Sequence, residues 1–193
     1  MKAVCVYCGS APGVSPLYTD GARQLAASLV SQNMSLVYGG GNVGLMRIIA
    51  DEVLRLGGSV TGVIPQALMD KEVGHRGLTT LHIVRNMHER KAMMAELSDG
   101  FIAMPGGIGT LEELFEVMTW SQLGFHEKPT GLLNVHGYYQ GLLDFLQHTS
   151  TQGFLTSAHL ALLISDDQPQ RLLQKMQAYQ PLHTKKWLER PDL

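Results

Sequence analysis

The chain has 193 residues, of which 45% are hydrophobic, and a formal net charge of -2 at pH 7. This length suffices for one complete hydrophobic core and is short for two ordinary domains. We therefore expect one domain over residues 1–180 and a polar carboxyl-terminal tail over residues 181–193. The 15 lysines and arginines are spread along the chain, so we expect neither a nucleic acid nor a membrane surface as a partner. A small molecule is the expected partner.

Targeting signals are missing from the sequence. No apolar run approaches the roughly 20 residues of a membrane span. The first residues, MKAVCVYCGSAPG, lack the apolar core and cleavage site of a secretory signal. We expect a cytoplasmic protein without a membrane segment.

Cys5 and Cys8 form a C-x-x-C pattern within an apolar run that predicts a strand. Residues three apart on a strand point to opposite faces of the sheet. We interpret the two cysteines as buried structural residues and not as a redox or metal-binding pair.

Short apolar runs alternate along the chain with segments of helical spacing. The runs predict strands at 3–7, 35–38, 60–64, 81–84, 101–104, 131–135 and 160–164. The longer segments predict helices at 17–32, 45–56, 88–97, 111–123, 138–148 and 169–179. This alternation predicts an α/β fold with a mostly parallel sheet between layers of helices.

The segment 65–80, PQALMDKEVGHRGLTT, interrupts the alternation because it is polar, glycine-containing and aperiodic. A loop between a strand and a helix is normally only a few residues long. Long loops at the ends of strands commonly carry function in such folds, so we expect this segment to lie near a site.

The first glycine-rich junction, YGGGNVGLM at 38–46, contains a G-x-G-x-x-G pattern between a predicted strand and a predicted helix. A dinucleotide site also needs an acidic residue at the end of the next strand, and that strand ends VTGVIP without one. The pattern therefore does not predict an NAD site. The glycines can serve close approach of a ligand or tight packing of strand against helix, and both interpretations stay open.

The second junction, MPGGIGTLEE at 104–113, places three glycines in four positions where a helix begins. Free backbone N–H groups and the positive end of the helix dipole then face one small volume, which predicts an anion site, normally for phosphate. No Lys-Ser or Lys-Thr follows, so a triphosphate-hydrolysing P-loop is not expected. Thr110 and Glu113 also match a capping box, and for Glu113 the capping role and the ligand role compete.

The segment RNMHERKAMM predicts a helix that begins at Asn86, with Glu89 as its capping-box carboxylate. Arg90 and Lys91 then lie early in this helix, where the dipole disfavours positive charge. Either solvation of exposed side chains or an anionic ligand would remove that penalty. The HERKA sequence lacks the second histidine of H-E-x-x-H, and the other histidines have no ligand spacing, so no metal is expected.

The motif MHERK at 87–91 together with PGGIGTLEE at 105–113 resembles the paired signature of the Lonely Guy (LOG) family. Its members are cytokinin riboside 5'-monophosphate phosphoribohydrolases, often mislabelled lysine decarboxylases. The resemblance continues through VYCGSAPG, VYGGGNVGLM and GVIPQALMDKEVGH, hence over roughly the first 150 residues. It implies a Rossmann-like, doubly wound sheet with helices on both faces, a homodimer with helix 111–123 at its interface, and no cofactor.

The resemblance also implies a reaction and a set of site residues. The reaction is hydrolysis of the N-glycosidic bond of an N6-modified AMP to the free base and ribose 5-phosphate. The catalytic pair carried onto matching positions is Arg90 and Glu113. The implied substrate-binding residues are Glu72, Arg90, Lys91, Gly107, Ile108, Gly109, Thr110, Leu111, Glu112, Glu113 and Thr119, with Ser10, Gly40, Gly41 and Met46 from the earlier junctions. Arg47 departs from a family glycine and leaves the base preference open.

Two other functions compete with this one. A pyridoxal phosphate decarboxylase needs a Schiff-base lysine and a partner for the ring nitrogen, and no motif in the chain supplies that set. A non-catalytic nucleotide-binding or sensing protein would use every one of the same glycines. The presence of both Arg90 and Glu113 favours the enzyme.

Overall fold

The structure, a computed structural model, describes residues 1–71 and 74–181. Its strands are β1 Ala3–Tyr7, β2 Ser35–Tyr38, β3 Val60–Pro65, β4 Thr80–Val84, β5 Gly100–Ala103, β6 Thr130–Leu133 and β7 Leu163–Asp166. Its α-helices are α1 Pro16–Ser31, α2 Gly44–Arg55, α3 Gln66–Met69, α4 Met87–Glu96, α5 Ile108–Gln122, α6 Gln140–Thr151, α7 Ser157–Leu160 and α8 Pro169–Gln177. A 3₁₀ turn covers Val135–Gly137.

All seven strands are parallel neighbours in one sheet with the order β4-β3-β2-β1-β5-β6-β7. The chain winds outward from β1 to β4, returns to the centre at β5, and then winds toward the opposite edge. β1 and β5 are therefore the two strands at which the winding reverses. In open α/β sheets, ligands bind in the crevice at the carboxyl ends of such strands. The predicted doubly wound α/β fold is confirmed.

Alternation along the central strands assigns side chains to the two helical layers. On one face Val4 and Val6 pack in a core cluster with residues of α1, α2 and α8. On the other face Cys5 and Tyr7 pack with residues of α4 and α5. Cys8 belongs to the first cluster, so the two cysteines lie on opposite faces as predicted. Both are free and buried, and burial raises the pKa of both thiols, which makes them unreactive.

The helix starts show which capping predictions hold. Asn86 caps α4, because its side-chain oxygen accepts a hydrogen bond from the Glu89 N–H at 2.9 Å. The capping box predicted for Thr110 and Glu113 is wrong. α5 begins three residues earlier than expected, with Gly107 as its N-cap and no side-chain cap, because glycine tolerates that position without a side-chain acceptor. Thr110 and Glu113 therefore lie inside the helix.

Several boundaries differ from the predicted ones. Segment 65–80 contains the short helix α3 and an isolated bridge between Gly41 and Gly74. The last strand begins at Leu163 and not at 160, because Thr156 caps the short helix α7 at the His159 N–H. Nearly all of the predicted tail 181–193 lies outside the described residues. Within the described ranges no helix is both long and apolar enough to cross a bilayer.

Candidate active site

Three loops meet at the carboxyl ends of the central strands. The Gly9 N–H, just after β1, donates a hydrogen bond to the Pro105 carbonyl, just after β5, at 3.0 Å. The Gly9 carbonyl accepts from the Leu45 N–H in the first turn of α2, also at 3.0 Å. The glycine junctions that follow β2 and β5 are thus joined through the loop after β1, at the point where the winding of the sheet reverses.

The anion cradle, defined here as the backbone of residues 106–109, lies at the start of α5. Gly106 is packed tightly, since a Cβ there would lie 2.1 Å from the Thr110 Oγ1. Gly107 and Gly109 differ, because a Cβ at either position would meet no atom within 4 Å. The first N–H groups of a helix have no intrahelical acceptor. The cradle therefore combines accessible N–H donors with the positive end of the helix dipole, as an anion site requires.

Glu113 is half-buried in the second turn of α5. Its carboxylate forms no hydrogen bond or ion pair with any residue that the structure describes. Burial raises its pKa to about 7, and the positive charge of Arg90 opposes that shift. A carboxylate with this pKa is half ionised at neutral pH, which suits a group that handles a proton or a developing charge. The capping role is absent, and the ligand role stays a prediction.

Arg90 is only 9% exposed, so its interpretation as a solvated cation is wrong. Its Nε donates to the Val63 carbonyl at 3.1 Å and its Nη2 donates to the Gly39 carbonyl at 2.8 Å. A Cβ on Gly39 would lie 1.8 Å from that Nη2. The glycine therefore makes room for the guanidinium, which is held by carbonyl oxygens as a fixed positive charge close to Glu113.

Lys91 is also not a solvated cation, because its side chain is 11% exposed. Its Nζ donates to Glu112 at 2.5 Å and to Glu116 at 2.9 Å, which ties α4 to α5. Burial alone would lower the pKa of Lys91, but the hydrogen bonds to the two carboxylates outweigh burial and raise it. Substrate contacts by Lys91 and Glu112 stay predictions.

The loop after β3 is fastened to the first glycine junction. The His75 N–H donates to the Gly40 carbonyl at 2.8 Å. The His75 Nδ1 accepts from the Gly77 N–H at 3.1 Å, so the ring proton lies on Nε2, which faces the Asp51 Oδ1 at 2.8 Å. Asp51 also accepts from the Arg47 Nε at 3.1 Å. The unusual Arg47 side chain thus extends along α2 to Asp51, and its effect on base preference stays a prediction.

The other predicted site residues are distributed unevenly around the cradle. Ile108 is 82% exposed at the cradle itself, whereas Leu111 packs against a core cluster. Ser10 touches the start of α2, where a Cβ on Gly44 would lie 2.3 Å from the Ser10 carbonyl carbon. Met46 packs over Gly41. Thr119 is exposed farther along α5 and donates to the Phe115 carbonyl at 2.7 Å, and Glu72 lies outside the described residues.

Two tyrosines at the site were missed from the sequence. The Tyr138 hydroxyl donates to the Gly106 carbonyl at 2.7 Å, and the Tyr139 hydroxyl donates to the Met104 carbonyl at 2.6 Å. The sequence assigned both residues to the start of a helix. The signal that could have found them is the glycine turn NVHGYY directly after β6, because turns at the carboxyl ends of parallel strands face the ligand edge.

A doubly wound sheet with an anion cradle and a partnerless carboxylate at its reversal point defines a Rossmann-like protein with a ligand site in the usual crevice. The model of a family described as possible lysine decarboxylase matches residues 46–176. The cytokinin riboside 5'-monophosphate phosphoribohydrolase LOG5 of Arabidopsis thaliana is 48% identical over 94% of this chain and 80% of its own length. LOG1 of the same plant is 47% identical over 95% of this chain and 86% of its own length. The chain belongs to this family of phosphoribohydrolases.

Solved structures support the fold at lower sequence identity. The molybdenum cofactor binding protein of Rippkaea orientalis aligns with a TM-score of 0.68 at 18% identity, over 92% of this chain and 97% of its own. The molybdenum cofactor carrier protein of Chlamydomonas reinhardtii aligns with a TM-score of 0.68 at 17% identity, over 92% of this chain and 99% of its own. These likenesses show a shared architecture.

The decarboxylase description in the family model does not fit the lysine at the site. A Schiff-base lysine must be neutral to attack a carbonyl carbon, and such lysines have lowered pKa values. Lys91 has the opposite environment, because Glu112 and Glu116 raise its pKa. Lys91 is therefore unsuited to form a Schiff base.

Proposed function

We propose that this protein hydrolyses the N-glycosidic bond of an N6-modified AMP, a cytokinin riboside 5'-monophosphate, to the free base and ribose 5-phosphate. The names of its relatives support the substrate. The observation that carries the proposal is Glu113, a partnerless carboxylate with a pKa of about 7, in the helix whose first turn forms the anion cradle.

The 5'-phosphate binds at the cradle in this proposal. Gly107 and Gly109 leave the N–H side of the backbone free of side chains, so phosphate oxygens can approach the N–H donors to hydrogen-bond distance. A nucleoside without the phosphate lacks this anchor. Hydrolysis should therefore require the 5'-monophosphate.

Glu113 acts on the sugar. When the bond between ribose C1' and the base nitrogen breaks, its electron pair leaves with the base and positive charge develops on the sugar ring. Ionised Glu113 stabilises that charge and accepts a proton from the attacking water, whose oxygen forms the new bond to C1'. The base takes up a proton from solvent, Glu113 returns to solvent the proton that it accepted from water, and the free base and ribose 5-phosphate leave.

Arg90 serves this chemistry as a fixed charge. Two of its donors are committed to the carbonyls of Val63 and Gly39, so it does not need to reorganise during the reaction. Its positive charge lowers the pKa of Glu113 from the higher value that burial alone would set. Arg90 thereby keeps a useful fraction of Glu113 ionised at neutral pH.

The test is release of free base, followed by chromatography, from AMP, N6-isopentenyl-AMP and the N6-isopentenyl nucleoside. We expect release from a 5'-monophosphate and none from the nucleoside. Glu113→Gln should lower kcat about 100-fold to 1000-fold while nucleotide binding persists. The wild-type rate should fall as the pH drops below about 7, because Glu113 becomes protonated there.

Glu96→Gln is the matched control, since Glu96 is an exposed carboxylate at the end of α4. It should turn over the nucleotide at the wild-type rate. Measurable nucleotide binding with no release of base by the wild-type protein would contradict the proposal and favour the sensing alternative. Unchanged turnover in Glu113→Gln would remove Glu113 from the catalytic role.

A homodimer and a cytoplasmic location belong to the same proposal. Most apolar side chains of α5 pack within the chain: Val117 lies in one core cluster with Trp120 packed against it, and Leu114 lies in another. Beyond it, Leu123 is 40% exposed and Phe125 is 75% exposed. These two side chains support a contact with a second subunit at that end of α5, which sedimentation of the wild type and Phe125→Ser would test. The cytoplasmic location rests on the sequence.

A further inference from the structure

Three successive carbonyls lead into the anion cradle, and each accepts a hydrogen bond. Met104 accepts from the Tyr139 hydroxyl at 2.6 Å, Pro105 from the Gly9 N–H at 3.0 Å, and Gly106 from the Tyr138 hydroxyl at 2.7 Å. The described peptide bonds are all trans. In a trans peptide the carbonyl and the next N–H point in opposite directions, so anchoring a carbonyl fixes the direction of the following N–H.

The three anchored peptides differ in what they present to a ligand. The peptide anchored by Tyr139 ends at Pro105, which has no N–H. The peptides anchored by Gly9 and by Tyr138 carry the N–H groups of Gly106 and Gly107. Neither of these N–H groups has an acceptor among residues 1–71 and 74–181. Among the three hydrogen bonds, the one from Tyr138 is therefore the only one in which a side chain orients a free N–H donor, that of Gly107.

The local sequence places Tyr138 at the rim of the cleft. His136 and Gly137 both have positive φ, at 49° and 72°, which turns the chain sharply after β6. The Asn134 side chain fixes this turn by accepting from the Tyr139 N–H at 2.7 Å. The ring of Tyr138 meets those of Tyr18 and Tyr139 edge to face, at centroid distances of 5.5 Å and 4.8 Å. Packing holds the ring although it is 43% exposed.

We propose that Tyr138 is a positioning residue for the substrate's 5'-phosphate. Its hydroxyl holds the Gly106–Gly107 peptide so that the Gly107 N–H points at the anion. The proposal rests on the proposed function for the identity of the anion as the phosphate of a nucleotide. If Tyr138 has this role, removal of its hydroxyl should raise the KM through weaker binding of the phosphate group.

The experiment compares Tyr138→Phe with Tyr139→Phe, two variants that each lose one hydroxyl and one hydrogen bond to a loop carbonyl. With N6-isopentenyl-AMP, Tyr138→Phe should raise KM about threefold to tenfold, the effect of one hydrogen bond, and should change kcat less than twofold. Tyr139→Phe leaves the buried Met104 carbonyl unpaired. It should lower the melting temperature by about 3–6 °C and leave KM within about twofold.

Calorimetric binding of ribose 5-phosphate separates this proposal from the proposed function. Tyr138→Phe should weaken ribose 5-phosphate by the same factor as it raises KM, and Tyr139→Phe should not. An unchanged affinity in Tyr138→Phe, equal losses in both variants, or no binding of ribose 5-phosphate to the wild type would overturn the positioning role. A wild type that binds ribose 5-phosphate but releases no base would overturn the proposed function alone.

Discussion

The glycine junction after β2 and the glycine junction after β5 look alike in sequence and differ in physical purpose. At the first, a Cβ on Gly39, Gly41 or Gly44 would lie within 3 Å of another side chain or of backbone. At the second, a Cβ on Gly107 or Gly109 would meet nothing within 4 Å. Glycine lets protein atoms approach one another at the first junction and at Gly106 of the second, whereas Gly107 and Gly109 leave open space beside the backbone.

The charged groups beside the two junctions follow the same division. Arg90 lies against Gly39, and its Nε and Nη2 donate to the backbone carbonyls of Val63 and Gly39. Glu113 follows the second junction without a partner among the described residues and with a pKa raised to about 7. The charged group beside the first junction is therefore held by protein atoms, while the carboxylate after the second has no partner among the described residues. A glycine whose added Cβ would meet open space is therefore a better candidate for a ligand site than a glycine whose Cβ would meet protein atoms.

The largest expected effect on stability is that of Gly44→Ala, which tests the close packing at the first junction. Gly44 has a φ of +55°, and an added Cβ would lie 2.3 Å from the Ser10 carbonyl carbon. Strain and backbone clash together should lower the free energy of unfolding by about 3 kcal/mol or more, measured by urea denaturation. Gly57→Ala is the matched control, because Gly57 has a φ of +82° but no atom within 4 Å. It should cost about 1 kcal/mol, and equal losses would show that close approach contributes nothing at Gly44.

The next effect concerns the unpartnered carboxylate and depends on pH. The folded state holds the Glu113 proton to about pH 7, above the ordinary value of 4.5. Burial of Glu113 therefore costs stability that develops as the pH rises from about 4.5 to 7 and is complete above that range. Glu113→Gln should raise the free energy of unfolding by about 1–3 kcal/mol at pH 8 and by almost nothing at pH 4.5. A gain that does not change between these two pH values would mean that ionisation of Glu113 is not its cause.

The smallest expected effect is that of alanine at Gly109, which tests whether the open space at the second junction admits a ligand. Gly109 and Gly141 each occupy the second position of a helix, α5 and α6, with open space around a Cβ. Alanine at either position should stabilise the fold by about 0.5 kcal/mol. Only Gly109→Ala should also raise KM for the nucleotide, by about fivefold if the methyl weakens one phosphate hydrogen bond. Identical kinetics for both variants would mean that no ligand approaches Gly109.

The sequence predicted the fold better than the details of the site. The alternating strand and helix patterns predicted the parallel sheet because strands that are buried on both faces appear in sequence as short, nearly continuous apolar runs. The glycine-rich helix start could be predicted because glycines before a helix are a local sequence signal, and anion binding there stays a prediction. The burial of Arg90 was not found, since it depends on carbonyls of β3 and of the β2 junction that lie far away in sequence. The capping box at Thr110 was wrong because α5 begins earlier than the local spacing indicates, at Ile108 with Gly107 as its N-cap.

Arg90 links the chemistry of the site to the integrity of the sheet. Its removal would strip the hydrogen-bond partners from the Val63 and Gly39 carbonyls, at a cost of about 1–3 kcal/mol for each buried group. A random substitution at this position therefore damages folding and turnover in the same step. In a survey of inherited variants, the loss of Arg90 would look identical whether abundance or activity were scored. A conservative exchange that keeps both carbonyl contacts is the only kind that can separate the two.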